Sequence, residues 1–98
     1  MGATTFVSSR HAPTAQQAFN GLVADALQAY GDEGYTGTIA EKGSYKTIEC
    51  KPENATAMVR ELLDDDDHWV GDKWGPAAHI ETIEDGKALH IFFGWASE

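Results

Sequence analysis

Ala15, Ala18, Phe19, Leu22, Val23, Ala26 and Tyr30 recur at three- and four-residue spacing, which draws one apolar stripe along a helix. A stripe of that width must be covered, so the rest of the chain has to supply a face to bury it. Both ends are marked. Thr14 offers a hydroxyl cap with Gln17 three residues on, the spacing of a capping box, and Gly31 is a natural stop.

The segments around this helix alternate in a different rhythm. Ala3 to Ser9, with Phe6 and Val7, reads as a short first strand. Thr36 to Glu41 and Tyr45 to Cys50 read as two strands joined at Lys42-Gly43. In the second of these, Tyr45, Thr47 and Glu49 share one face, and Lys46, Ile48 and Cys50 share the other. Pro52 ends the strand and Asn54 is placed to cap a second helix, with Ala55, Met58, Val59, Leu62 and Leu63 as its stripe. The run Asp64, Asp65, Asp66, Asp67 then meets a helix C-terminus, where the macrodipole disfavours negative charge, and the helix stops. A loop from Asp64 to about Ala77 leads to a hairpin. Ala78 to Ile83 and Ala88 to Phe93 flank Glu84-Asp85-Gly86-Lys87, and Asp-Gly is a strong hairpin signal. The expected fold is α+β in the order β-α-β-β-α-β-β. It reads as a split βαβ (ferredoxin-like) antiparallel sheet with both helices on one face, formed by residues 1–98 as a single domain. An antiparallel meander with differently packed helices is the alternative.

Charge narrows the function. Sixteen carboxylates (Asp+Glu 16) against Lys+Arg 7 leave a formal net charge of −9 over 98 residues. Such a surface repels phosphate, which excludes ordinary nucleic-acid binding through counterion release. It suits a basic protein partner, or imitation of nucleic acid on a protein that normally grips it. Cys50 is alone, so no internal disulfide forms and a reducing, intracellular setting is expected. Met1 to Arg10 lacks the pattern of a signal peptide, and no apolar stretch is long enough for a membrane span. A soluble cytoplasmic protein is therefore expected.

Two glycine-aromatic blocks are the candidate sites. Gly34-Tyr35-Thr36-Gly37-Thr38-Ile39-Ala40-Glu41-Lys42 lies mid-chain, and Asp72-Lys73-Trp74-Gly75-Pro76 precedes the hairpin. Glycine beside large aromatics usually lets backbone pass close to the core or to a partner. The first block follows a helix C-terminus, whereas anions prefer N-termini, and it has neither the Walker nor the dinucleotide pattern. Glu41, Lys42 and Lys46 would make an acid-base set only if they converged, and neighbours on a strand point to opposite faces. The aspartate run with His68 lacks the alternate ligand spacing and central glycine of a calcium loop. His11, His68, His79 and His90 match no zinc spacing, although His79 and His90 fall on the two strands of the hairpin and can meet on one face. Cys50 carries no nucleophile signature and reads as a small apolar residue. Trp74, in a loop before Gly-Pro, reads as a core anchor or as a recognition residue. No catalytic residue, metal or cofactor is expected.

The segments Ala18-Phe19, Tyr30-Gly31, Gly34 to Lys42, Asp72 to Ala77 and Phe92-Phe93-Gly94-Trp95-Ala96-Ser97 together resemble a family of small bacteriophage and prophage proteins, notably those of actinobacteria. The resemblance spans nearly the whole chain and brings no activity with it. It implies a small accessory product acting inside a host bacterium. Joined to the charge, it gives the leading expectation, an acidic protein that binds and modulates a host or defence protein without catalysis. Tyr35, Asp64 to Asp67, Lys73 and Trp74 would make the contact. The alternative is a small-molecule or nucleotide-binding protein, even an enzyme. Its pocket would be built from the two blocks, with Thr36, Glu41, Lys42, Asp72 and Lys73 as polar groups and Tyr35 or Trp74 stacking on a base. Exposed sheet edges make a homodimer reasonable.

Overall fold

A computed structural model describes residues 2–31 and 36–98. Four strands and two helices follow one another as β1 (Ala3–His11), α1 (Ala15–Tyr30), β2 (Tyr45–Thr47), α2 (Ala55–Leu63), β3 (Ala77–Glu84) and β4 (Lys87–Ser97). Short 3₁₀ turns lie at Ile39–Glu41, Pro52–Asn54 and Trp69–Gly71. The strands form one sheet in the order β1-β4-β3-β2. β1 and β3 flank β4 antiparallel, and β2 runs parallel to β3.

The α1 stripe, its Thr14 cap (3.2 Å to the Gln17 amide) and the Gly31 stop form as the sequence requires. Gly31 takes φ 85 and its N–H closes onto Leu27 O. Tyr30 is the exception, since the end of the helix clears the sheet and leaves its ring exposed. α2 stops at Leu63 as expected, with its last carbonyl capped by Trp95 Nε1 at 3.0 Å. Its start differs. Asn54 makes no side-chain cap, because Pro52 opens a 3₁₀ turn that runs straight into the helix.

Thr36 to Glu41 is not a strand. Gly37 takes φ 70, Thr38 caps the 3₁₀ turn over Ile39–Glu41, and buried Ile39 anchors it in the core. This turn changes the topology. Without a first hairpin strand, β2 has no antiparallel partner beside it, and α2 carries the chain across to β3 as a parallel neighbour. The sheet is therefore mixed and four-stranded, not the antiparallel five-stranded ferredoxin-like sheet. The element order is β-α-β-α-β-β. Both helices on one face is also corrected. α1 packs with Phe6, Ala77, Phe92 and Ala96, whereas α2 packs with Ala78, Ile80 and Phe93. Neighbouring strand residues point to opposite faces, so the two helices sandwich the sheet.

The hairpin is the sequence signal best realised. Asp85 and Gly86 both take positive φ (55 and 75), the two-residue turn that matches strand twist. Gly86→Ala is expected to cost about 1–2 kcal/mol, because a Cβ disfavours left-handed backbone even with open space around it. Urea unfolding monitored by far-ultraviolet circular dichroism measures it, and Gly43→Ala, at a glycine with open space and no positive φ, serves as the comparison.

Candidate functional site

The 3₁₀ turn before β2 and the loop before β3 are drawn together by the parallel pairing. Tyr45 lies opposite Ala77, and Ala77 N–H donates to Ser44 O at 2.9 Å. Lys42, just upstream, is thereby laid against the loop from Asp72 to Gly75. It is 4% exposed, and its Nζ donates to the carbonyls of Asp72 (3.3 Å), Lys73 (3.2 Å) and Gly75 (2.9 Å). An ammonium has three donors, and all three are used on backbone. Burial pushes the Lys42 ammonium below its usual range, and the nearby Asp72 carboxylate opposes that shift.

The loop so gripped is stiff from within as well. Asp72 Oδ1 accepts the Trp74 amide at 2.9 Å, and Asp72 O accepts the Gly75 amide at 3.0 Å. At its tip Trp74 is 68% exposed, with Lys73 Nζ 5.3 Å from the centre of its ring. The result is a large amphipathic ring, backed by a cation, on a backbone held in one shape.

Glu41 turns the other way. Its Oε2 accepts from the Thr36 amide (3.1 Å) and the Thr36 hydroxyl (2.8 Å), and the Thr38 hydroxyl lies 2.8 Å from that of Thr36. Glu41 and Lys42 thus diverge as strand neighbours would, although the segment is a turn. Tyr35 lies outside the described residues.

Asp64, Asp65, Asp66 and Asp67 form an exposed turn after α2. Asp65 organises it, taking the Asp67 amide on Oδ1 (3.0 Å) and the His68 amide on its carbonyl (3.2 Å). His68 Nδ1 in turn caps the next 3₁₀ turn through the Val70 amide. Trp69 is half-buried against the α2-side core, with Lys46 Nζ 5.6 Å over its ring. The aspartate run, Trp69 and Trp74 therefore belong to one ordered connection between α2 and β3. Among the described residues, no three His, Cys, Asp or Glu side chains converge as metal ligands. Cys50 packs half-buried on the α2 side with Sγ toward Lys51 O.

His79 and His90 do meet, and more deeply than a strand face implies. They are 2% and 1% exposed, with His79 Nε2 2.9 Å from His90 Nδ1. The chain continues at both ends, to Thr47 Oγ1 (2.9 Å from His79 Nδ1) and to Ala12 O (3.1 Å from His90 Nε2). With neutral rings, the directions follow from one end. Ala12 O only accepts, so His90 Nε2–H donates, its Nδ1 accepts from His79 Nε2–H, and His79 Nδ1 accepts from the Thr47 hydroxyl. Glu81 stands 3.9 Å from His90 Nδ1, beyond hydrogen-bond reach. Phe92 at 4.8 Å and Tyr45 at 5.5 Å between ring centres wall in His79. Burial, then the neighbouring His90, pushes His79 down to about 4, with Glu81 opposing. A base so weakened is suited to holding β2, β3, β4 and the β1–α1 turn together. It is poorly suited to taking protons at neutral pH. The eleven-residue spacing around the hairpin pointed to the encounter; what it lacked was any sign of Thr47 and Ala12, which parallel pairing and α1 entry bring in.

No protein-family model matches the chain, and no curated protein or solved structure matches it either. Three outcomes are expected from this geometry. Lys42→Met, of similar length, strands three acceptors and should cost about 1–3 kcal/mol. Amide exchange at Trp74 and Gly75, whose N–H groups bond Asp72 in the loop that Lys42 holds by its carbonyls, should rise by more than at the hairpin. His79, with a folded value about 4 against an ordinary 6.5, binds fewer protons folded than unfolded. Its contribution is whole above pH 6.5 and is lost as pH falls toward 4, about 3 kcal/mol over that window. Urea midpoints across pH 4–7 measure this, and His79→Gln should flatten the slope.

Proposed function

We propose that this protein is a binding module without catalytic chemistry of its own, which docks on a partner protein through the α2–β3 connection with Trp74 as anchor. The observation that carries this reading is the 68% exposure of Trp74 on a loop clamped by the buried ammonium of Lys42. Tryptophan is a favoured hot-spot residue, and an anchor already held in its bound shape loses little freedom on association. The exposed aspartate turn in the same connection gives the contact its sign. A basic patch on the partner would face Asp64 to Asp67 while its apolar pocket receives Trp74.

The resemblance of its glycine-aromatic blocks to those of phage proteins supports a host or defence protein inside a bacterium as the partner, one that otherwise grips nucleic acid and whose basic surface the aspartates would occupy. The Lys42 ammonium is committed to backbone carbonyls, so the cation beside Trp74 is Lys73.

Tagged protein is incubated with bacterial lysate beside two folded variants, Trp74→Ala and the fourfold Asp64–Asp67→Asn. A discrete partner retained by the native chain should bind Trp74→Ala about 30-fold more weakly, a hot-spot loss of about 2 kcal/mol. The Asn variant should weaken binding chiefly at low salt. A partner held equally well by Trp74→Ala would sink the reading.

A further inference from the structure

We infer that β1 is a self-association edge, at which a second copy of this chain adds its own β1 antiparallel and continues the sheet across a two-fold axis at Val7. β1 is nine residues long and lies at one edge of the sheet; the other edge, β2, has three. Glu98 N–H donates to Gly2 O at 3.2 Å, which makes that pair the hydrogen-bonded kind. Alternation along an antiparallel ladder then turns the N–H and C=O of Thr5, Val7 and Ser9 away from β4. Among the described residues, no backbone group pairs with that edge. Long edges of this kind are normally blunted by proline, charge or a bulge; β1 has no proline and no bulge, and its one Arg, Arg10, lies near its end and is turned back onto α1 against Gly21 and Asp25.

Symmetry selects the occupant. Val7 is the midpoint of Ala3–His11 and is 57% exposed. Pairing about it sets Val7 on Val7 with both of its outward backbone groups bonded, and sets Thr5 on Ser9 of the second copy, so one strand is its own complement. On the α2 side Val7 also floors an apolar groove of about 350 Å³, walled by Thr56, Val59, Arg60, Leu63 and Ile91. The two-fold axis would join two such grooves into one trough closed by the paired valines.

Charge agrees with this choice. In a chain of net charge −9, Asp25 is the first carboxylate, and it is already ion-paired with Arg10 at 3.0 Å. β1 is thus a strand on which two acidic molecules meet without opposing carboxylates. The half of β1 beside the aspartate turn, Thr5 opposite Trp95 whose indole bonds Leu63 O, would face the half carrying Arg10 and His11 in the second copy.

Sedimentation and light scattering from micromolar to millimolar concentration should give twice the 10.6 kDa chain mass at the upper end, and Val7→Lys should return it to the monomer. In a Cys50→Ser background, Val7→Cys should form a disulfide-linked dimer under mild oxidation. Thr5→Cys should not, because the axis places the two copies of residue 5 too far apart to bridge. A monomer throughout the range, a dimer that crosslinks equally at both positions, or one that persists in Val7→Lys would each overturn the inference. Because Val7→Cys is a mild change, a Val7→Lys variant that fails to fold leaves the crosslinking result to decide. Neither variant touches the Trp74 loop, so the result is independent of partner binding.

Discussion

Everything in this fold is hung on the two-residue alternation of β4. Phe92 turns to one side and joins Phe19 and Tyr45 at ring-centre distances of 5.4 and 5.2 Å. Phe93 turns to the other and joins Ala55, Val59 and Val70. One strand thus seeds two cores, and each helix needs only a narrow apolar stripe because the sheet supplies the opposing wall. Gly94 interrupts the series at a φ of 155, a backbone conformation that side-chain-bearing residues rarely adopt, with the Phe6 ring in contact range of where a Cβ would stand. β4 is also the strand that β1 and β3 share, so its register fixes both neighbours at once.

What the sequence disclosed was what short-range chemistry governs. The α1 stripe, the Thr14 cap, the end of α2 and the Asp85-Gly86 turn are all decided within a few residues, and each appears where the pattern placed it. What it withheld was decided at a distance. Thr36 to Glu41 reads as a strand in sequence, yet local hydroxyl and carboxylate bonds to its own backbone compete with a ladder and win. Once that segment is a turn, parallel pairing of β2 and the placing of helices on opposite faces follow, and neither has a local signature. The sequence offers Lys42 only as a polar group of a candidate pocket, because nothing nearby in it hints that carbonyls thirty residues on would enclose its ammonium.

The two buried polar devices act alike. Lys42 ties the turn before β2 to the loop before β3, and the Thr47–His79–His90–Ala12 chain ties β2 through β3 and β4 to the entrance of α1. Both converge on β2, whose three residues give it the least ladder of any strand. Hydrogen bonds inside an apolar surround are directional and costly to leave unmade, so they specify a single placement where apolar packing alone would tolerate several. A short edge strand is thereby given a position that its own length does not secure.

The distribution of carboxylates has a kinetic consequence. With none before Asp25, and with Asp64 to Asp67 gathered in one exposed turn, the molecule carries an uneven field. Over a Debye length of about 10 Å in dilute salt, such a field turns an approaching cationic surface before any contact is made. The protein would therefore be oriented during the encounter itself, so a collision at the wrong face is corrected by rotation instead of by dissociation and a second attempt.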